Sequence, residues 1–285
     1  MPRTVVRKFT IGGGQGGHSG DDIDKNRING VQQVARFLAE AWQYRIDLCE
    51  IGAGNKRNAI ARGGEFVIAI PKRNEKKVLA LFDDFAARLK AEYAVTDPGL
   101  YFESEPVEWE KGAIDRGTAL RLIRALISIP HGVIAMSADI PGLIETSTNL
   151  ASVKMEEGRK IVVGTMQRSS VNSQREFLSQ RVAAVLELAG AKVRFSDGYP
   201  GWKPNVNSHV KDVCVESYKR LFGHEPVVRA IHAGLECGLF TEKFPHIDMI
   251  AFGPTLRGVH APGERLDLAS LDRFYAVLLD VLKNI

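Results

Sequence analysis

The chain predicts an α/β protein in which helices pack on an antiparallel sheet. Three observations carry that expectation. Val5, Arg7, Phe9 and Ile11 alternate within Thr4–Ile11, the period-two pattern of a half-buried strand. Ile28, Val31, Val34, Leu38 and Trp42 recur at three- and four-residue steps, so residues 27–43 predict an amphipathic helix. The 285 residues are 45% hydrophobic and 25% charged, which excludes disordered and fibrous classes.

The other elements follow in order. Tyr44–Ile51 and Glu65–Ile70 predict strands, and Pro71 closes the second. Val78, Leu81, Phe82, Phe85, Ala86 and Leu89 mark a helix, and a strand is expected near Gly99–Glu105. The pattern then restarts with a helix over Thr118–Ser128 and a turn at Pro130-His131-Gly132. Leu143–Met155 and Lys160–Arg168 predict a strand pair, Gln174–Leu188 a helix ended by Gly190, and Val193–Phe195 a short strand. The shared strand–helix–strand grammar of 1–105 and 118–196 hints at a duplicated arrangement.

Composition shifts at Ser196–Pro204, where two prolines and two glycines surround Trp202, which predicts a structured turn or a domain crossing. Beyond it a helix over Asn207–Leu221, strands at Val227–Ile231 and Met249–Phe252, and a helix over Leu268–Leu282 are expected. Two strands with flanking helices make a poor free-standing core, so this tail looks like half of a larger domain.

Several classes are excluded. The longest apolar clusters, Leu122–Ile129 and Leu278–Leu282, fall far short of the ~20 residues that span a bilayer, so no membrane partner is expected. Met1-Pro2-Arg3 leads straight into alternating residues rather than an apolar signal segment, and a cytoplasmic location is expected. A net charge of +4, from 38 Lys+Arg against 34 Asp+Glu, is too mild and too interspersed for a nucleic-acid partner. Cys49, Cys214 and Cys237 are odd in number and scattered, which excludes a disulfide framework or a zinc ribbon.

Gly12-x-Gly14-x-x-Gly17 matches a dinucleotide fingerprint, but Asp21 and Asp22 follow where a pyrophosphate needs a positive helix end. Nucleotide binding is therefore discounted. His18, held with Ser19 between glycines, is a functional candidate. His260 follows the expected strand Met249–Phe252, in the loop position where α/β sheets build sites and where a neutral imidazole can ligate zinc. His232–Gly238 occupies a second such loop, with glycines that let a ligand approach backbone. Cys237 has no cationic sequence neighbour to activate it as a nucleophile. His246-x-Asp248 is a loop leading into a strand rather than a metal pair, and Glu156-Glu157 an exposed hairpin turn rather than a general base. Arg168, at a strand end, could grip a carboxylate through two parallel hydrogen bonds, although on residue type alone a solvated arginine is the commoner outcome.

Seven segments occur in order: Gly16–Ile23, Arg57-Asn58-Ala59-Ile60, Glu145–Leu150, Arg168-Ser169-Ser170, Tyr199–Pro204, His232–Gly238 and Gly253–His260. Together they resemble the aminoacyl-histidine (Xaa-His, carnosine-type) dipeptidases, within the zinc metallopeptidase superfamily that also holds aminoacylases and glutamate carboxypeptidases. The resemblance covers essentially the whole chain. It implies that 1–196 is a lid or dimerisation domain and 197–285 the C-terminal portion of a catalytic α/β domain. It further implies two zinc ions in the complete enzyme, a dipeptide substrate and a homodimer. By the same resemblance His18 polarises the scissile carbonyl, Asn58, Arg168 and Gly234 hold substrate, and His260 ligates metal. The family's His-x-Asp pair, Glu-Glu pair and further acidic ligand have no counterpart here. A catalytic zinc needs about three protein ligands, so the isolated chain is expected to be an inactive piece of a dipeptidase. The alternative is a non-catalytic lid or oligomerisation module that needs a partner chain.

Overall fold

A computed structural model describes residues 4–156, 160–196, 198, 200–202, 205, 207–229, 236–257 and 263–285. The chain divides into two compact units, a larger one taking in Met1–Asp197 and a smaller one taking in Gly198–Ala230 and Gly234–Ile285.

In the larger unit β1 (Thr4–Gly12) runs through the glycine-rich turn into β2 (Gly17–His18), then α1 (Gly30–Ala41), β3 (Asp47–Ala53), β4 (Ala59–Ile60), β5 (Gly64–Pro71), α2 (Glu75–Glu92) and β6 (Tyr101–Pro106). A second run adds α3 (Arg116–Ser128), β7 (Gly132–Met136), β8 (Ile144–Met155), β9 (Ile161–Ser169) and α4 (Asn172–Leu188). Seven strands form one antiparallel sheet in the order β6-β1-β5-β3-β8-β7, with β9 also on β8. The first run is a βαββαβ unit whose α1 and α2 each carry the chain over an intervening strand. The second run is a three-stranded meander between helices, so the strand order does not repeat between the two runs.

The expected helices and most of the strands form because their apolar positions meet on one face of this sheet. Phe9, Phe37, Phe66, Phe82 and Phe85 are buried together, with Phe9 stacked on Phe66 at 5.3 Å and edge-on to Phe82 at 4.8 Å. α1 starts at Gly30 because Asn29 caps it: Asn29 Oδ1 accepts the backbone N–H of Val31 and Gln32.

β8 is the hinge of the architecture. Its first half pairs with β7 and its end with β3 on one edge, while β9 runs along the other. Between β7 and β3 the ladder has a gap at Leu150, and two side chains fill it. Leu150 N–H donates to His131 Nδ1 at 3.3 Å, and Asn29 Nδ2 donates to Leu150 C=O at 2.8 Å. The sequence predicts only a turn at Pro130–Gly132; the five-residue β7 directly after it is an addition that pairing with β8 creates.

Val193–Phe195 is not a strand: it has no ladder partner among the described residues, and Phe195 is exposed. In the smaller unit α5 (His209–Phe222) packs on α7 (Leu268–Asn284) through Cys214, Val277 and Val281, with α6 (Glu236–Lys243) and the short pair β10 (Leu256–Arg257) and β11 (Arg265–Leu266) between them in sequence. The strands expected at Met249–Phe252 and Val227–Ile231 do not form over the described residues, Ala230 and Ile231 lying outside them. A strand needs a hydrogen-bonding neighbour, and the described residues offer these segments none. Glu236–Gly238, expected in a loop, opens α6.

Candidate functional site

The glycine-rich turn after β1 is a tightly fitted corner. Gly13 has φ +85°, and a Cβ there would lie 2.0 Å from the Gly99 carbonyl oxygen, so only glycine is accommodated. Gln15 N–H donates to Asp97 Oδ1 at 2.7 Å and Ile28 N–H to Asp97 Oδ2 at 2.8 Å, with Asp97 itself 1% exposed. Two amides at this corner, Gln15 and Ile28, are thus spent on the protein's own carboxylate, and Gly14 N–H donates to Arg62 O at 3.0 Å.

His18 lies in β2, opposite Ala59 of β4. Its backbone N–H donates to Asp22 Oδ2 at 2.8 Å, and its carbonyl accepts the N–H of Asp21 and Asp22. Burial acts to raise the Asp22 carboxyl, but hydrogen bonds from Lys25 and the His18 amide, with the nearby Arg27 charge, hold it below the ordinary carboxylate range. The two aspartates that argued against a nucleotide therefore tie down the histidine turn. Gly20 N–H donates to His18 Nδ1 at 3.2 Å, and Asp21 Oδ2 lies 3.5 Å from the same nitrogen. With Nδ1 accepting, the neutral ring carries its proton on Nε2.

Arg168, next to last in β9, stands opposite Ser147 of β8. It is half-buried rather than solvated, and its Nε donates to Ser19 Oγ at 3.4 Å across 149 residues of sequence. Burial pushes the guanidinium below its usual range, and Asp21 offsets only part of that. A cation held with so little countercharge favours an anionic ligand. Asn58 joins the same group through backbone: its carbonyl accepts Ser19 N–H at 2.8 Å. Asn149 Nδ2 holds the two neighbouring carbonyls, Arg57 O and Ala59 O, each at 2.9 Å.

His18, Asn58 and Arg168 are therefore linked through Ser19 in the larger unit. Ser19 and Asn149 were not singled out as site residues from sequence, although both lie within segments that carry the resemblance. Gly234 and His260 lie outside the described residues. Among the described residues no group of three or more His, Cys, Asp or Glu side chains could hold a metal ion, so these residues by themselves do not fit a zinc centre. Asp248 Oδ2 instead accepts the Val210 N–H at 3.0 Å at the start of α5, which accounts for the unused His246-x-Asp248 pair. Glu156 is exposed and pairs with Lys160 at 3.1 Å. No helix among the described residues is long and apolar enough to cross a membrane.

The chain is similar to known proteins over its whole length. It is 34% identical over 279 residues to the cytosol non-specific dipeptidase of Escherichia coli (strain K12), covering 98% of this chain and 57% of that protein. It superposes on the crystal structure of aminoacylhistidine dipeptidase from Vibrio alginolyticus with a TM-score of 0.90 and 35% identity, covering 100% of this chain and 58% of that one. The chain thus spans a little over half the length of these relatives. The model of peptidase family M20/M25/M40 matches residues 16–284, and the chain belongs to that family.

Proposed function

We propose that this chain carries the substrate-holding part of a metal-dependent dipeptidase that hydrolyses Xaa-His dipeptides. The observation that carries the reading is the half-buried Arg168 guanidinium, bonded to Ser19 and linked through it to His18 and Asn58. A dipeptide's C-terminal carboxylate suits a desolvated guanidinium, which can meet it with two parallel hydrogen bonds. His18, with its proton on Nε2, would donate to the oxygen of the scissile carbonyl as negative charge develops there. Asn58 would add an amide contact to the bound backbone, and Gly234 an approach to main chain. Zinc, with His260 as a ligand, belongs to this reading as the family's expectation. The described residues assemble no metal-binding group of their own. A homodimer and a cytoplasmic location complete the proposal.

The test is calorimetric titration of the full chain with glycyl-L-histidine, beside Arg168→Ala and His18→Ala. Losing a charge-assisted pair should weaken binding by about 10- to 100-fold in Arg168→Ala. His18→Ala should change ground-state binding far less, because its partner is charged only in the transition state. Equal affinity of the unmodified chain and Arg168→Ala would overturn the assignment.

A further inference from the structure

We infer that Asn149 is a positioning residue that holds His18, Asn58 and Arg168 in one constellation; the inference deepens the functional reading above and rests on it. Asn149 lies on β8 and is 1% exposed. Both donors of its carboxamide are used on one short segment, Nδ2 reaching Arg57 O and Ala59 O at 2.9 Å each. Those carbonyls flank Asn58. The turn's own bond, from Ala59 N–H to Lys56 O at 3.1 Å, shapes the segment locally but does not attach it to the sheet. Asn149 supplies that attachment.

The segment it holds then dictates the rest. Ala59 stands opposite His18 in the β2–β4 pair, and the Asn58 carbonyl takes the Ser19 N–H at 2.8 Å. Ser19 Oγ takes Arg168 Nε at 3.4 Å. Arg168 returns to β8 through the β8–β9 register, where Ser147 faces Arg168 and Asn149 faces Met166. The constraints thus close a ring that begins and ends on β8, two residues apart.

The other end of the side chain is left without a hydrogen bond. Asn149 Oδ1 is buried with no hydrogen-bond partner among the described residues. Turning the amide over would aim an acceptor at two carbonyls, so the two donor bonds fix the orientation in which the oxygen is left without a partner. A buried unpaired acceptor is destabilising, and a leucine of similar volume would remove it. That exchange would also take the donor from the Arg57 and Ala59 carbonyls, so the orphaned oxygen is the cost of the two bonds that hold the segment.

Asn149→Leu in the full chain is the test, read by amide hydrogen exchange and by calorimetric titration with glycyl-L-histidine. Ser19 N–H should exchange at least about tenfold faster while the β1–β5 ladder amides stay protected, a local opening rather than global unfolding. Dipeptide affinity should fall, and the loss should not add to that of Arg168→Ala, because both act on one constellation. Asn149→Ser, which keeps a single donor, should fall between, and it carries both measurements if the leucine variant does not fold. Unchanged Ser19 exchange, or strictly additive losses, would overturn the inference. If the unmodified chain and Arg168→Ala bind the dipeptide equally, the functional reading fails on its own, and Ser19 exchange still decides whether Asn149 anchors the segment.

Discussion

His131 takes the place of a neighbouring strand at Leu150: its Nδ1 accepts the Leu150 N–H at 3.3 Å, in the gap that β7 and β3 leave along β8. Asn29 completes the patch, with its amide nitrogen 3.2 Å from the same ring atom and 2.8 Å from the Leu150 carbonyl. A protonated Nδ1 would face two donors and lose its function there. Burial accordingly pushes the imidazole down to about 4 from its ordinary 6.5.

The sign of the pH effect follows. Between pH 6.5 and 4 the unfolded chain binds a proton at this position that the folded chain refuses. Stability contributed by the neutral ring is therefore present above pH 6.5 and declines as pH falls to 4, by up to about 1.4 kcal/mol per pH unit. His131→Asn should lower stability near pH 7.5 by about 1 kcal/mol through the altered hydrogen bond, and should flatten the acid slope. Urea melts of both proteins at pH 7.5, 5.5 and 4.5 check this; parallel slopes would refute the assignment.

Asp97 is the internal anion of the glycine-rich turn. Asp97→Ala leaves the Gln15 and Ile28 amides without their acceptor and should cost about 2–4 kcal/mol of unfolding free energy. Asp97→Asn, which keeps one good acceptor, should cost less. Because Asp97 already holds the Gln15 and Ile28 amides, NAD should leave the melting temperature of the unmodified chain unchanged, and a concentration-dependent rise would show that a nucleotide displaces the carboxylate.

Gly17 precedes the candidate histidine with φ +138°, and a Cβ there would stand 2.4 Å from Asp22 Oδ2. Gly17→Ala should therefore destabilise by about 1–3 kcal/mol and displace Asp22 from the His18 amide. Circular dichroism melts give the first effect. The His18 amide resonance gives the second, and an unshifted resonance would mean that the turn absorbs the methyl group elsewhere.

Arg168 invites a separate substitution, to lysine. An ammonium keeps the charge but offers no planar fork, so Arg168→Lys should recover part of the electrostatic attraction while remaining about tenfold weaker than arginine for a dipeptide carboxylate. Full recovery in a glycyl-L-histidine titration would mean that charge alone, and not bidentate geometry, selects the ligand.

What the amino-acid order determines by itself is whatever depends on local period and local chemistry. The alternation of Thr4–Ile11 became β1, and the helix expected over 27–43 became α1 over Gly30–Ala41, with Ile28 before its cap and Trp42 after its end, because a side chain's face is set by φ and ψ over a few residues. The glycine-rich turn that carries His18 was legible for the same reason. Tertiary structure alone decided the pairings. β7 exists because β8 offers it an edge, whereas Val193–Phe195 and Met249–Phe252, of similar strand-like composition, have no such edge among the described residues. Arg168 changed from a strand-end residue open to solvent into a half-buried group because Ser19, 149 residues away, lies against it. Asn149, His131 and Asp97 could not be recognised by type or spacing, since each works on backbone groups distant in sequence, and hydrogen bonds of that kind form only once the sheet has closed.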